Sequence, residues 1–231
     1  MPQQTRIETI YSNDDLIIVK KPSFIPTSPL TDDGDEFCLV NLVRKFEPRI
    51  MIPSGHLLRE GGLIHRLDTP TSGLVLFALN QKTYDELVLQ QKKDKIIKQY
   101  RARFTEKKKL SLEGFPPYPY HDVGTQWGVI NSYFRAFGGR GASVRPTLDQ
   151  RAKHCSGVLY TTETEVESSN TVICTLTRGF RHQVRAHMAW AGYPLAGDTR
   201  YGGDESPDFG LEAIGLSFEN PSDGAYLTIT I

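Results

Sequence analysis

The sequence predicts an α+β protein with a mixed, mainly antiparallel sheet, a few flanking helices and long loops. Three observations carry this reading. Short runs with strand patterning recur along all 231 residues, only three segments have helical spacing, and a stretch rich in proline and glycine, 110–156, interrupts the pattern. An apolar fraction of 39% is ordinary for a globular chain, and the length suits a single domain over 1–231.

Taken in order, Asp15 to Lys20 reads as a strand, and Lys21-Pro22 with Pro26 and Pro29 breaks it into an irregular loop. Cys38 to Phe46 places Leu39, Leu42, Val43 and Phe46 at helical spacing, and Pro48 stops it. The run Leu74-Val75-Leu76-Phe77-Ala78-Leu79 lacks polar alternation, as in a strand buried on both faces. Asn80 is placed to cap a helix whose Tyr84, Leu87, Val88 and Gln91 share a face. From Lys98 to Phe104 the chain alternates, with Tyr100, Ala102 and Phe104 inward and Gln99, Arg101 and Arg103 outward.

Between 110 and 156 only Val129 to Phe137 has a faint strand signal, so this stretch is expected to form functional loops around a hairpin. Gly157 to Val166 and Thr171 to Thr177 read as two strands. The second feeds a helix carrying Arg181, His182, Arg185 and Met188, which Gly192 ends. Arg178, Arg181 and Arg185 would then line one side near the helix start, where free backbone N–H groups favour an anion. Ala225 to Ile231 is the last strand.

The net charge is zero but unevenly placed: residues 82–109 carry ten Lys/Arg against four Asp/Glu, and residues 201–231 carry six Asp/Glu and no Lys/Arg. A local basic surface that includes Lys107, Lys108 and Lys109 can hold phosphates in a neutral molecule, although for this feature alone solvated lysines are the simpler account. No apolar stretch approaches the ~20 residues of a membrane span, and Met1 to Arg6 lacks the regions of a signal peptide, so a cytoplasmic protein is expected. Cys38, Cys155 and Cys174 are too dispersed for a metal site or a disulfide set, and each reads as a small buried apolar residue. His182 and His187 stand five apart, off the spacing of two ligands on one helical face, and no metal is expected.

The most informative stretch is His65-Arg66-Leu67-Asp68-Thr69-Pro70-Thr71-Ser72-Gly73. Pro70 and the Thr71-Ser72-Gly73 turn hold Asp68 out of helix or central strand, at the edge of the apolar run that follows. A carboxylate fixed in that way points to an enzyme.

This stretch resembles the signature of the RluA-type family of RNA pseudouridine synthases. Lys20-Lys21-Pro22-Ser23 upstream fits the same family, as do His182-Gln183-Val184-Arg185-Ala186-His187 and Gly197-Asp198-Thr199-Arg200-Tyr201-Gly202 downstream. The resemblance implies a pseudouridine synthase catalytic fold, an isomerase acting on ribosomal or transfer RNA as a monomer, and no cofactor. It implies Asp68 as the catalytic carboxylate, Tyr100 against the target base and Arg185 as ion partner of the Asp. His65, Arg66, Thr71, Arg178, Arg181, His182 and Gln183 would surround the substrate, with His65 better suited to a structural hydrogen bond than to general base chemistry.

Two departures stand out. Phe24 occupies a place where glycine is common in the family, and Gly179-Phe180-Arg181-His182-Gln183 shifts or replaces the usual arginine. The sequence also shows no S4-like RNA-binding domain. Two rival readings are an RNA-binding protein that has kept the fold without activity, and a carboxylate-dependent glycosidic hydrolase. The second would require another Asp/Glu some ~5–10 Å from Asp68.

Overall fold

The computed structural model describes residues 6–31, 37–106, 112–119 and 128–231. In chain order its elements are β1 (Glu8–Ser12), β2 (Leu16–Lys21), α1 (Leu39–Val43), β3 (Ser72–Ala78), α2 (Gln81–Lys92), β4 (Ile97–Arg103), β5 (Gly128–Phe137), β6 (Ser143–Thr147), β7 (Tyr160–Ser168), β8 (Thr171–Leu176), α3 (Gln183–Trp190), β9 (Leu211–Glu219) and β10 (Tyr226–Thr230). The chain divides into two compact units, one made of Met1–Ile96 with Ala213–Ile231 and the other of Ile97–Glu212.

In the first unit β1, β2 and β3 form an antiparallel meander, β9 continues it beyond β3, and β10 pairs with β9. The apolar run predicted as a doubly buried strand is β3, in which every residue from Gly73 to Ala78 is buried. Leu16, Ile18, Leu74, Leu76, Leu87, Leu216 and Phe218 make one core, while Val19, Val75 and Phe77 are buried as well. Gly73 has a φ of 112°, and a Cβ there would meet the Ala213 carbonyl oxygen at 2.2 Å, so only glycine admits the last strands this close. Helix α2 starts as expected, with Asn80 Oδ1 accepting from the Thr83 N–H at 2.9 Å. Helix α1 is shorter than predicted: it ends at Val43, and Phe46 lies half in water.

The second unit orders its strands β4-β8-β7-β5-β6, each neighbour antiparallel. All eight residues of α3 are buried, the apolar ones in two cores and Gln183, Arg185 and His187 through hydrogen bonds. Val184, Met188 and Trp190 join the core of Ala102, Val172, Cys174 and Leu176, whereas Ala186 and Ala189 pack with Phe134, Val144 and Tyr160. Gly192, at φ 88°, closes the helix where the sequence placed its stop.

One further expectation is corrected. Helix α3 begins only at Gln183, because His182 adopts a left-handed φ of 56° and breaks any helix before it; Arg178 and Arg181 therefore precede the helix instead of sharing a face with Arg185. The faint strand at Val129 to Phe137 is the ten-residue β5, and the expected hairpin is completed by β6, whose Pro146 obscured it in the sequence. Cys38 and Cys174 are buried as predicted, and burial pushes the Cys174 thiol up to about 12; Cys155 is only half-buried.

Candidate active site

Asp68 is half-buried in a turn closed by the Thr71 N–H, which donates to the Asp68 carbonyl at 3.0 Å. Both of its neighbours are pinned from one upstream segment. Thr27 Oγ1 donates to the Leu67 carbonyl at 2.7 Å and accepts the Leu67 N–H at 3.2 Å, while Lys21 Nζ donates to the Thr69 carbonyl at 3.1 Å. The backbone that carries the carboxylate is thus clamped on either side, the kind of second layer that fixes a reacting group to within fractions of an ångström. The proline-broken loop of the sequence is this clamp.

Lys21 is fully buried and lies opposite Gly73 across the β2–β3 pair. Its ammonium has three hydrogens and three carbonyl acceptors: Pro22 at 2.9 Å, Ile25 at 2.7 Å and Thr69 at 3.1 Å. Burial lowers its pKa to about 8, against an opposing pull from the negative charge of Asp68. Above that pH the amine keeps only two hydrogens for three carbonyls and no longer faces the carboxylate with a charge. Turnover should therefore fall through a one-proton step near pH 8. Stability should not follow it. Between about 8 and 10.5 the unfolded chain binds the extra proton, so this group's contribution to stability rises with pH. A rate that stays flat to pH 9.5 would contradict this role for Lys21.

The other residues of the motif divide by environment. His65 is buried, and its Nε2 accepts the Leu76 N–H at 3.3 Å, a structural bond between the motif and β3. Arg66 is mostly exposed and donates to Glu60 Oε1 at 3.0 Å, which also accepts from Ser28 Oγ. Thr71 is buried, and its hydroxyl has no hydrogen-bond partner among the described residues.

In the second unit Tyr100 lies on β4, half-buried against the core that contains α3. Arg185 is buried on α3 and forks onto Asp198, with Nε to Oδ2 and Nη2 to Oδ1 both at 2.8 Å. Its guanidinium carbon lies 5.1 Å from the Tyr201 ring centre and 5.3 Å from that of Phe209. Asp198 was not singled out from the sequence, although it belongs to the Gly197–Gly202 motif. A carboxylate directly after the apolar Leu195-Ala196-Gly197 was the available signal.

Tyr201 completes the same motif. Its hydroxyl accepts the Val144 N–H at 2.9 Å and lies 2.9 Å from His182 Nδ1. Gln183 is buried, its amide donating to the Thr161 carbonyl at 2.8 Å and to Thr162 Oγ1 at 3.0 Å while its oxygen accepts the Phe180 N–H. It braces the entry to α3. His187 sits between Ser132 Oγ and Thr162 Oγ1, and burial lowers its pKa to about 3, so it stays neutral. Arg178 and Arg181 are exposed; Arg181 donates to the carbonyls of Gly141 and Ser143. The displaced arginine has a packing cause: Phe180 stacks on Phe134 with ring centres 5.2 Å apart.

The basic run of 82–109 does not stand apart from the acidic tail. Lys95 Nζ lies 4.0 Å from Glu219, and the charges of Glu167 and Glu212 both act on Arg101. Arg101 is forked to Glu167 at 2.9 Å, a surface pair. Lys107, Lys108 and Lys109 lie outside the described residues. No helix among the described residues is long and apolar enough to cross a membrane.

Residues 15–190 match a family model described as RNA pseudouridylate synthase. The chain is 30% identical over 203 residues to a ribosomal large subunit pseudouridine synthase D of Buchnera aphidicola, which covers 88% of this chain and 56% of that protein. It is 27% identical over 207 residues to the protein of the same name in Blochmanniella floridana, covering 89% and 57%. The chain spans little more than half the length of these relatives. The solved structure of human RNA pseudouridylate synthase domain containing 1 has the same fold, with a TM-score of 0.69 at 17% identity over 100% of this chain and 85% of that one.

Proposed function

Given that the chain belongs to the RNA pseudouridylate synthase family, we propose that it isomerises a uridine to pseudouridine in RNA, with Asp68 as the catalytic carboxylate. The observation that carries this reading is the clamp: a half-buried carboxylate in the family's motif, held through both flanking residues by Lys21 and Thr27. We take 1–231 as one catalytic domain, since the family match runs through both compact units.

The reaction breaks the bond from ribose C1′ to N1 of the base and forms one from C1′ to C5. The C5 hydrogen leaves as a proton and N1 gains one. No electrons are gained or lost, so the chemistry calls for no redox cofactor. Asp68 acts on the nucleotide at the cleavage step, and the base stays bound while it turns. The uridine must first leave its stack, at a cost of a few kcal/mol, least where the RNA is already unpaired. Tyr100 against the base and Arg185 as ion partner of the carboxylate are the roles we assign from the family resemblance. Arg66, Arg178 and Arg181 are exposed cations suited to phosphates.

We propose large-subunit ribosomal RNA as the substrate, after the names of the two relatives, and a cytoplasmic site of action with it. Pseudouridine mapping of total RNA from cells with and without the gene tests both parts. The expected result is the loss of one or a few ribosomal sites and their return when purified protein is added to the unmodified RNA. Unchanged maps, with no activity of the purified protein on any cellular RNA, would overturn the assignment.

A further inference from the structure

Phe24 stands out in the loop between the two clamping residues. Its φ is 63°, a left-handed conformation that a bulky side chain rarely adopts and glycine adopts freely. The residue is also 60% exposed. The fold thus gains neither backbone ease nor buried apolar surface from a phenylalanine here. Strain kept at an exposed position is an observation that calls for a functional account.

The loop that carries the ring is not loose. Lys21 Nζ donates to the carbonyls of Pro22 and Ile25, bracketing Ser23 and Phe24 between two fixed points, and Ile25 is buried. The same ammonium holds the Thr69 carbonyl, and Thr27 at the far end of the loop holds Leu67. One short segment therefore fixes the residues on both sides of Asp68 and presents an aromatic ring at its tip. A rigid exposed ring loses little freedom when a flat partner covers it.

We propose that Phe24 is a stacking platform for a nucleobase that flanks the target uridine, a subsite of the RNA strand next to Asp68. This rests on the RNA reading above. Every base has a π-face, so the subsite would bind without selecting sequence, and it would hold the strand while the uridine is turned out.

Three variants test it, with an unmodified large-subunit ribosomal RNA transcript as the probe. Phe24→Gly should melt at the wild-type temperature or higher, because the backbone conformation suits glycine, yet raise KM for the transcript about 5- to 100-fold. Phe24→Tyr should restore KM to within about threefold, as expected for stacking by any comparable ring. Phe24→Trp should show indole fluorescence that the transcript quenches beyond the change in wild type. Wild-type KM in Phe24→Gly, or no difference between the glycine and tyrosine variants, would overturn the proposal. So would a Phe24→Trp signal that responds to protein concentration and not to RNA, which would mark a contact between protein copies. If wild type forms no pseudouridine, the catalytic reading fails on its own. Quenching of Phe24→Trp by the transcript would still report the base contact.

Discussion

Asp68→Asn should reduce isomerisation by at least about a thousandfold, equivalent to roughly 4 kcal/mol of transition-state stabilisation, while the protein melts and binds RNA nearly as wild type. The amide has the shape of the carboxylate but cannot act as nucleophile or proton acceptor. The turn itself is held by backbone groups: Thr71 N–H, Leu67 N–H and the carbonyls of Leu67 and Thr69 all bond without the Asp68 side chain. The clamp therefore survives the substitution, and the loss isolates chemistry from folding. Single-turnover assays on the ribosomal transcript, paired with melting curves, measure the two separately. An Asp68→Asn protein with a tenth of wild-type activity would remove the residue from the catalytic role. An inactive wild type that binds RNA would favour the binding-protein alternative.

The second large effect concerns the buried pair of Arg185 and Asp198, whose side chains are 6% and 1% exposed. Removing one partner leaves a charge in a site that water does not reach. Arg185→Met or Asp198→Ala should each cost about 3–5 kcal/mol, a drop on the order of 10 °C in melting temperature for a chain of this size. The double variant Arg185→Met with Asp198→Leu should recover part of that, since the Asp198 charge is removed together with the guanidinium it faces. Asp198 also bears on activity, because the fork fixes how the guanidinium is turned. Arg185→Lys would keep a charge and lose the fork, so it should fold better than Arg185→Met and still turn over poorly. Single variants that melt within 1 °C of wild type would show that the pair carries little of the fold.

The strands with a one-sided or fully apolar pattern were legible in the sequence, and β2, β3, β4 and β10 lie where alternation or continuous burial placed them. β1 was not, because Glu8–Ser12 is a mostly exposed strand with no apolar face to read. β9 was hidden by the acidic residues around it and by Gly215 within it, although most of it is buried. The limits of α3 depended on one backbone angle at His182, and propensity has no means of foreseeing a left-handed histidine. Asp68 was legible because its motif is compact. Its supports were not: Thr27 and Lys21 lie 40 or more residues upstream of Leu67 and Thr69, and only the fold brings them together. Asp198 was missed for the same reason, being 13 residues from the arginine it holds.

The close approach of Gly73 to Ala213 also has a consequence in time. The unit that carries Asp68 is built from the two ends of the chain, and the ribosome makes the 116 residues of Ile97–Glu212 in between. At roughly 5–20 residues per second, β3 waits on the order of ten seconds for Leu216 and Phe218 to reach the core they share with Leu74 and Leu76. During that interval an apolar strand edge stands open on the nascent chain, the condition under which strands find wrong partners. Assembly of the segment bearing Asp68 thus waits on the synthesis of the whole second unit. The second unit, continuous in sequence, needs no such delay.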